Sequence, residues 1–175
     1  KSIGYEILKP EDLKKAAFCA ADYNVPQIRN RIIIIGIRKD SNHKLSDFYE
    51  SLCSQKSKAN RLTVKDAIGN LPNFKPLPES IKNGRNNVSH KLVGSLKIPQ
   101  HEARYHNQRD IKVFRDWIAK DMNHASTKER LEFYTSITGI KSNHIKYRSL
   151  EWDKPSPTIV SHLHKDGLMF IHPDI

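Results

Sequence analysis

The residues best suited to chemistry are two arginines that stand two positions apart in front of an aliphatic run. Gln27, Arg29 and Arg31 form the pattern Gln-x-Arg-x-Arg, and positions 32–35 and 37 are all isoleucine. A guanidinium group offers a planar fork of donors that binds anions and carbonyl oxygens through charge-assisted hydrogen bonds. The pattern indicates a site for an anion or another polar partner. The alternative is that both arginines are ordinary strand-entry residues paired with carboxylates.

The element that must position these arginines is the isoleucine run itself. A continuous apolar run without alternation is typical of a strand that is buried on both faces of a sheet. Val25 precedes Pro26, and this favours extended backbone on the approach to the strand. We expect burial of the run to hold the arginines rigidly, which is what makes an electrostatic site effective.

The remaining pattern predicts several short helices. Pro10, followed by acidic residues, favours a short helix near the start, and another helical piece is predicted around residues 47–52. Thr63 with Asp66 predicts a capped helix that ends near Gly69. Apolar residues at spacings of three and four predict a helix over residues 109–122, and Ser126 caps the next one.

The rest of the chain is predicted to be strand or loop. Residues 72–100 contain four prolines and are predicted to be irregular, with one short strand near residues 91–96. The stretch "TGIKSNHIKY" is predicted to be a polar loop. After Pro157, "TIV" and "LMFIH" are predicted to be strands on either side of the loop "SHLHKDG".

Charge indicates the class of partner. The chain has 175 residues, of which 30 are Lys or Arg and 19 are Asp or Glu, so its net charge is +11. The excess is spread along the chain, and a folded, evenly basic domain most often meets nucleic acid. The alternative is a basic surface with no polyanionic partner.

Cysteine content, apolar runs and the start of the chain indicate the cellular compartment. Cys19 and Cys53 cannot form a disulfide framework and fit a reducing compartment, so we expect a cytoplasmic protein. No apolar run is long enough to span a membrane. The chain begins at Lys1 without a visible signal peptide, and the missing Met suggests a piece of a longer protein.

Several enzyme classes receive no support from the motifs. The chain contains no Gly-x-Gly-x-x-Gly, P-loop or Cys-x-x-Cys. The pairs His101/His106 and His162/His164 could bind a metal, but the histidines lack ligand spacing around a cysteine, and no metal is predicted. No nucleophile elbow supports a Ser-His-Asp set.

Four blocks together resemble one family. "ADYNVPQIRNRIIIIGIR" is similar to the conserved block of cytosine-5 DNA methyltransferases in which Gln-x-Arg-x-Arg precedes an aliphatic strand. "TVKDAIGNLP", "HEARYHNQRD" and "YRSLEWDKPSPTIVSHLHKDGLMFIHPD" resemble later segments of that family, in family order. The resemblance covers the chain from about Ala21 to its end.

The resemblance implies roles for the opening residues. These enzymes flip a cytosine out of the duplex into a pocket. Arg31 would bind the O2 carbonyl of the flipped base, Arg29 would order the site and contact a phosphate, and Gln27 would hydrogen-bond within the same site. Asn24 stands where the family usually has glycine, and asparagine also tolerates left-handed backbone. Cys19 stands where the family often has asparagine.

The family's other motifs are absent from this sequence. It contains no Phe-x-Gly-x-Gly cofactor motif, no Pro-Cys-Gln nucleophile loop and no Glu-Asn-Val glutamate. The resemblance implies that S-adenosylmethionine binds to a missing part of the enzyme, and that this chain alone is inactive.

The resemblance also implies DNA-binding residues. The loop after the Pro-x-Pro-Thr block is the better candidate for reading base edges, and "TGIKSNHIKY" is the other. Arg104 would contact phosphate or brace the domain, whereas Arg148 and Thr158 would organise the recognition region. The exposed polar residues of the first loop are Ser161, His162, His164 and Lys165.

We therefore predict an α+β fold in two parts. Residues 1–45 would be a fragment of an α/β catalytic domain, and residues 46–175 a small, irregular target-recognition domain. The predicted partners are double-stranded DNA, the remainder of the methyltransferase and, through the exposed isoleucine strand, a second copy. The predicted function is the target-recognition fragment or subunit of a bacterial restriction–modification methyltransferase. The alternatives are a non-enzymatic DNA-binding module and, with less support, a nuclease.

Overall fold

The computed structural model describes residues 4–159 and 170–174, which divide into two compact units. The first unit runs to Ala67 and takes in Asp153–Thr158, whereas the second comprises Ile68–Trp152 and the residues from Ile159 onward. The mixture of helices and small sheets is α+β, as predicted. No helix in the described part of the chain has the length and apolar character needed to cross a membrane.

The elements are short. The strands are β1 (Tyr5–Glu6), β2 (Ala17–Cys19), β3 (Gln27–Ile28), β4 (Asn30–Ile32), β5 (Ile37–Arg38), β6 (Phe74–Asn83), β7 (Asn86–Leu92) and β8 (Ser156–Pro157). The α-helices are α1 (Leu45–Ser54), α2 (Val64–Ile68), α3 (Gln108–Ala119) and α4 (Thr127–Thr138), and two 3-10 helices span Pro10–Ala16 and Ala20–Tyr23.

The first unit is built from three strand pairs and α1. β1 pairs with β5 and β2 with β4, both antiparallel, whereas β3 and β8 are parallel. Their apolar side chains meet in a cluster around α1. Its buried members are Ala16, Phe18, Leu45 and Tyr49, and Ile35 and Ile37 are among the side chains that pack against it.

The isoleucine run differs from the predicted strand. Only Ile32 and Ile37 lie in strands, and Ile32 and Ile34 are 60% and 58% exposed. Ile35 and Ile37 pack inward while Ile32 and Ile34 point outward, so the run is covered on one face only in the described residues. The prediction of one continuous strand is wrong for this chain, whereas burial of both faces was expected only within a larger sheet.

The second unit packs α3 and α4 around Trp117, which is 1% exposed. Phe133 and Tyr147 lie edge-on to its ring, with centroids 5.6 Å and 5.8 Å away. The predicted helices are confirmed here: the Ser126–Glu129 capping box is present, and the side chain of Asn107 caps α3.

The prediction that residues 72–100 are irregular is wrong for residues 74–92, and the short strand predicted near residues 91–96 overlaps only the end of β7. β6 and β7 form a long antiparallel hairpin, with Asn83 opposite Asn86 at its tip. Pro76 and Pro78 argued against a strand because proline cannot donate to a ladder. The hairpin accommodates them because its register shifts between Pro76 and Ile81, so that Pro78 lies in the irregular segment.

Candidate functional site

Arg29 and Arg31 line one open cavity of about 250 Å³ in the first unit. Successive side chains of extended backbone point to opposite sides, so Arg29 and Arg31, two positions apart, lie on the same side. The other lining residues are almost all apolar: Phe18, Ala20, Tyr23, Ile33 and Leu52. The cavity is therefore an apolar depression with two cationic groups on one wall.

Backbone hydrogen bonds fix that wall. Arg31 stands opposite Phe18 in the β2–β4 pair. The ladder continues on both sides, because the Ala20 amide donates to the Arg29 carbonyl at 3.0 Å and the Ile33 amide donates to the Ala16 carbonyl at 2.9 Å. The backbone that carries both arginines is thus paired along its length.

The guanidinium groups keep unused donors. Arg31 donates from Nη1 to the Asn30 carbonyl at 2.7 Å. Within the described residues, neither Arg29 nor Arg31 forms an ion pair with a carboxylate. Pairing with carboxylates, the ordinary alternative for strand-entry arginines, is therefore absent in this part of the chain. Arg31 is exposed and Arg29 is half-buried, so a group from outside the chain can reach the donors of both guanidinium groups.

The turn before the arginines contributes Tyr23 to the lining of the cavity. Asn24 adopts left-handed backbone with φ 59°, as the sequence predicted for this position. Tyr23 then reaches α1, where its hydroxyl donates to the Leu52 carbonyl at 3.1 Å. Burial, with smaller contributions from Cys53 and Asp22, raises the pKa of Tyr23 and keeps that hydroxyl protonated.

An ion pair braces the same turn. Arg61 donates from Nε and Nη2 to one carboxylate oxygen of Asp22, at 3.0 Å and 2.6 Å. The Asp22 carbonyl also accepts from the Ser57 amide at 2.8 Å. The segment after α1 is thereby tied to the turn that shapes the cavity.

Gln27 lies next to a distant part of the sequence instead of in the cavity. β3 pairs in parallel with β8, and Gln27 stands opposite Ser156. Thr158 donates from its hydroxyl to the Ile28 carbonyl at 2.8 Å. The Gln-x-Arg-x-Arg stretch and the Pro-x-Pro-Thr stretch, which were predicted as separate motifs, are therefore joined.

Arg104 lines a different cavity, of about 270 Å³, in the second unit. Phe74, His90 and Phe114 also line it. His106 also lines it, with its ring edge-on to Phe114 and the ring centroids 5.0 Å apart. Among the described residues no group of three or more His, Cys, Asp or Glu side chains is placed to hold a metal ion.

Arg148 is exposed, and its carbonyl accepts from the Ile171 amide at 2.8 Å. Ser149 forms a parallel bridge with Ile171. The four predicted loop residues Ser161, His162, His164 and Lys165 lie outside the described residues, as do positions 160, 168 and 169 of the two strands predicted beside them. The described parts of those strands are not strand, apart from the single bridge at Ile171.

Sequence reasoning missed the cavity walls and the hairpin. Phe18 and Leu52 are ordinary apolar residues in sequence, and only their contacts bring them beside Arg29 and Arg31. The hairpin did leave a signal in Gly84, because glycine at the first position of a two-residue turn is characteristic of hairpins.

Comparison with known proteins gives a consistent result. Residues 1–165 match the family model for C-5 cytosine-specific DNA methylases. The Type II methyltransferase M.Bpa9945I of Bacillus paralicheniformis is 28% identical over 99% of this chain and 42% of its own length. M1.HgaI of Avibacterium volantium, also a Type II methyltransferase, is 30% identical over 80% of this chain and 32% of its own length.

A third relative matches a shorter part. The Type II methyltransferase M.MthTI of Methanothermobacter thermautotrophicus is 39% identical over 47% of this chain and 21% of its own length. The chain thus spans less than half the length of each of these relatives. No solved structure matches it significantly.

Proposed function

This chain belongs to the C-5 cytosine-specific DNA methylase family, and on that premise we propose that it provides part of the base pocket and the DNA-recognition portion of a DNA cytosine-5 methyltransferase. The observation that carries the proposal is the pair Arg29 and Arg31, which line one apolar cavity without an ion pair among the described residues. That arrangement suits a polar group that arrives from outside the chain.

Arg31 is proposed to bind the O2 carbonyl of an extruded cytosine. Its guanidinium has donors left after the bond from Nη1 to the Asn30 carbonyl. A cytosine outside the base stack presents O2 as an acceptor, and a charged donor binds it about twice as strongly as a neutral one. Pairing between β2 and β4 holds the backbone in place before the base arrives, so little reorganisation is needed.

Arg29 and Gln27 are proposed to support that contact. Arg29 is half-buried on the same cavity wall, where its charge attracts a phosphate or orders the neighbouring guanidinium. Gln27 lies outside the cavity wall, on the strand paired with β8, and its amide is proposed to hydrogen-bond near the pocket rim.

The remaining chemistry is assigned to a different part of the enzyme. A cysteine there would attack C6 of the base and a glutamate would act at N3. Covalent attack divides the difficult substitution at C5 into steps with lower barriers. S-adenosylmethionine supplies the methyl group in this family. The chain contains no Gly-x-Gly pair and no Pro-Cys nucleophile motif, so its own residues do not fit that cofactor.

The outward isoleucines are proposed to contact that other part. Ile32 and Ile34 are more than half exposed, and β4 has β2 as its only paired strand in the described sheets. An apolar, half-paired edge of this kind is a surface that another strand or helix covers. Arg104 and Arg148 are proposed to act on the DNA backbone or to brace the recognition region.

The test is methyl transfer to duplex DNA by an assembly that contains this chain together with polypeptides carrying the cofactor and nucleophile motifs. Arg31→Ala should lower the rate of transfer from labelled S-adenosylmethionine by at least about 100-fold, the effect of removing one preorganised donor. Arg38→Ala is the matched control, because Arg38 is an exposed arginine of the same unit that is paired with Asp40.

Two outcomes would contradict the proposal. Equal rates for Arg31→Ala and Arg38→Ala would remove the base-binding role of Arg31. A wild-type assembly that binds duplex DNA yet transfers no methyl group would favour a non-enzymatic DNA-binding module instead.

A further inference from the structure

We propose that the tip of the β6–β7 hairpin, residues 81–87, is an arm that enters a groove of duplex DNA. This hairpin arm deepens the proposed function and rests on it. The base of the hairpin is anchored, its tip is exposed, and the side chains of the tip are of types that bind DNA.

The base of the hairpin is fixed to the second unit. Ser89 is 1% exposed, and its hydroxyl accepts from the His106 amide at 2.9 Å. The Gln108 side chain, at the start of α3, donates to the Leu77 carbonyl at 3.2 Å. Both strands are therefore held close to the start of α3, and the part beyond them projects from a rigid support.

The register shift separates this base from the hairpin arm. Pro76 stands opposite His90 and Ile81 opposite Val88, so residues 77–80 face Ser89 alone. Extra residues in one strand bend a hairpin and increase its twist. The regular ladder of the arm is therefore separated from that of the base by the irregular segment.

The tip is a narrow ribbon with no cover. All seven residues from 81 to 87 are exposed. Gly84, with φ +60°, opens the two-residue turn and Asn83 stands opposite Asn86. A two-stranded ribbon is about 5 Å wide between strand axes, and the major groove, about 12 Å wide, admits one.

The side chains of the arm are those that bind DNA. Lys82 and Arg85 are cationic, three asparagines stand at positions 83, 86 and 87, and the arm has no acidic residue. Within the described residues, no hydrogen bond or ion pair engages these five side chains. Asparagine amides can pair with adenine edges, and the cations can pair with phosphates or guanine.

This chemistry favours duplex DNA over other partners. Unpaired cations select a polyanion, and free amides beside them add a donor and acceptor pattern that a membrane surface cannot use. The exposed Ile81, 56% accessible, offers an apolar contact of the type that a thymine methyl group accepts.

The test compares two double variants of the full chain by fluorescence anisotropy with a labelled duplex at several salt concentrations. The variant Lys82→Ala/Arg85→Ala should bind roughly tenfold more weakly and lower the salt slope by about two, because two phosphates would no longer have a cationic partner. The control Lys112→Ala/Lys128→Ala removes the same net charge from two exposed lysines that already pair with Asp116 and Glu132, and should stay close to wild type.

The outcomes separate this proposal from the proposed function. If wild type binds duplex DNA and both double variants bind alike, the arm does not touch DNA while the proposed function stands. If the wild-type chain does not bind duplex DNA, the arm proposal falls, whereas the proposed function is still decided by methyl transfer in the assembly. If the Lys82→Ala/Arg85→Ala variant loses more affinity for single-stranded RNA than for duplex DNA, the proposal that the arm binds duplex DNA is also wrong. Unchanged thermal unfolding of the variants, expected at exposed sites, keeps the comparison valid.

Discussion

Thr158 donates a hydrogen bond from its hydroxyl to the Ile28 carbonyl, at 2.8 Å and across 130 positions of sequence. With the parallel pairing of β3 and β8, this bond ties the Pro-x-Pro-Thr stretch to the residue directly before Arg29. The position of the arginines therefore depends on a segment near the far end of the chain.

Replacing that hydroxyl should weaken the tie. Thr158→Val keeps the shape of the side chain but cannot donate, so the free energy of unfolding should fall by about 1 kcal/mol, the usual net value of one neutral hydrogen bond. Thr158→Ser retains the donor and should lie closer to wild type. Urea denaturation measures both, and a Val variant as stable as the Ser variant would mean that the bond does not stabilise the unit.

Asn24 provides a second prediction, on the turn that leads into the cavity. Its φ of 59° lies in the left-handed region, which glycine enters freely and alanine does not. Asn24→Ala should therefore lower the free energy of unfolding by about 1 kcal/mol, whereas Asn24→Gly should be nearly neutral. Thermal unfolding of the two variants decides the point. A Gly variant as damaged as the Ala variant would show that the asparagine side chain, and not the backbone, matters.

Features set by neighbouring residues were predictable from sequence. The Ser126–Glu129 capping box follows from two residue types three positions apart, and it occurs. The left-handed Asn24 was expected from the glycine that the resembling family usually has at this position, and it also occurs. Arg29 and Arg31 share a face because extended backbone repeats every two residues. Rules that involve only neighbouring residues therefore predict the helices and the placement of both arginines on one face.

Features set by distant partners were not predictable. The pattern of the isoleucine run is typical of a strand buried on both faces, but whether the second face is covered depends on which elements pack beside it. The hairpin was missed because proline rules out a regular ladder, whereas a register shift tolerates it. The contact between Thr158 and Ile28 leaves no trace in the local pattern.

Asn123 provides a third prediction, on the core of the second unit. Its side-chain oxygen accepts from Trp117 Nε1 at 2.9 Å and from the Ser149 amide at 3.0 Å, and its amide donates to the Ser149 carbonyl at 2.9 Å. Asn123→Ala leaves the indole donor of the buried Trp117 without this partner and should lower the free energy of unfolding by about 2 kcal/mol.

The graded control for this prediction is Asn123→Asp. An aspartate keeps the acceptor for Trp117 and Ser149 but loses the donor, and it would repel the Glu151 carboxylate, to which the Asn123 amide also donates at 3.4 Å. In a Glu151→Gln background it should therefore cost less than alanine. Tryptophan fluorescence during urea denaturation reports on the site directly. Equal losses of stability for the two variants would contradict the role assigned to the acceptor oxygen.

The outward isoleucines provide a fourth prediction, on self-association. Ile32 and Ile34 lie beside the unpaired edge of β4, where a second copy can add its own strand. Ile32→Thr/Ile34→Thr should weaken association of the isolated chain by roughly tenfold, since each substitution removes part of the apolar area buried between copies. Sedimentation velocity over a concentration series measures this.

The matched control for that prediction is Ile81→Thr/Ile140→Thr. These side chains are 56% and 61% exposed, close to the values for Ile32 and Ile34, but they lie in the second unit. An equal loss of self-association in both double variants would indicate nonspecific hydrophobic association instead of a defined surface. A monomeric wild-type chain at all concentrations would show that this surface does not join two copies.

Two histidines give the last prediction, on pH. Burial lowers the pKa of His90, and burial together with the charges of His90 and Arg104 lowers the pKa of His106. The unfolded chain takes up protons near pH 6.5, the ordinary value, whereas the folded chain resists until a lower pH. The unfolded state thus binds more protons in that interval, and the free energy of unfolding should fall as pH drops from about 7.5 to about 5.5.

Geometry makes this response specific to the hairpin base. Ser89 Oγ accepts from the His106 amide at 2.9 Å and lies 2.9 Å from His90 Nδ1, to which it can donate only while that nitrogen is unprotonated. His90→Gln/His106→Gln should therefore flatten the pH dependence over that interval. The control His43→Gln/His144→Gln changes two exposed histidines and should leave the slope unchanged. If both double variants keep the wild-type slope, the loss of stability on acidification arises elsewhere in the chain.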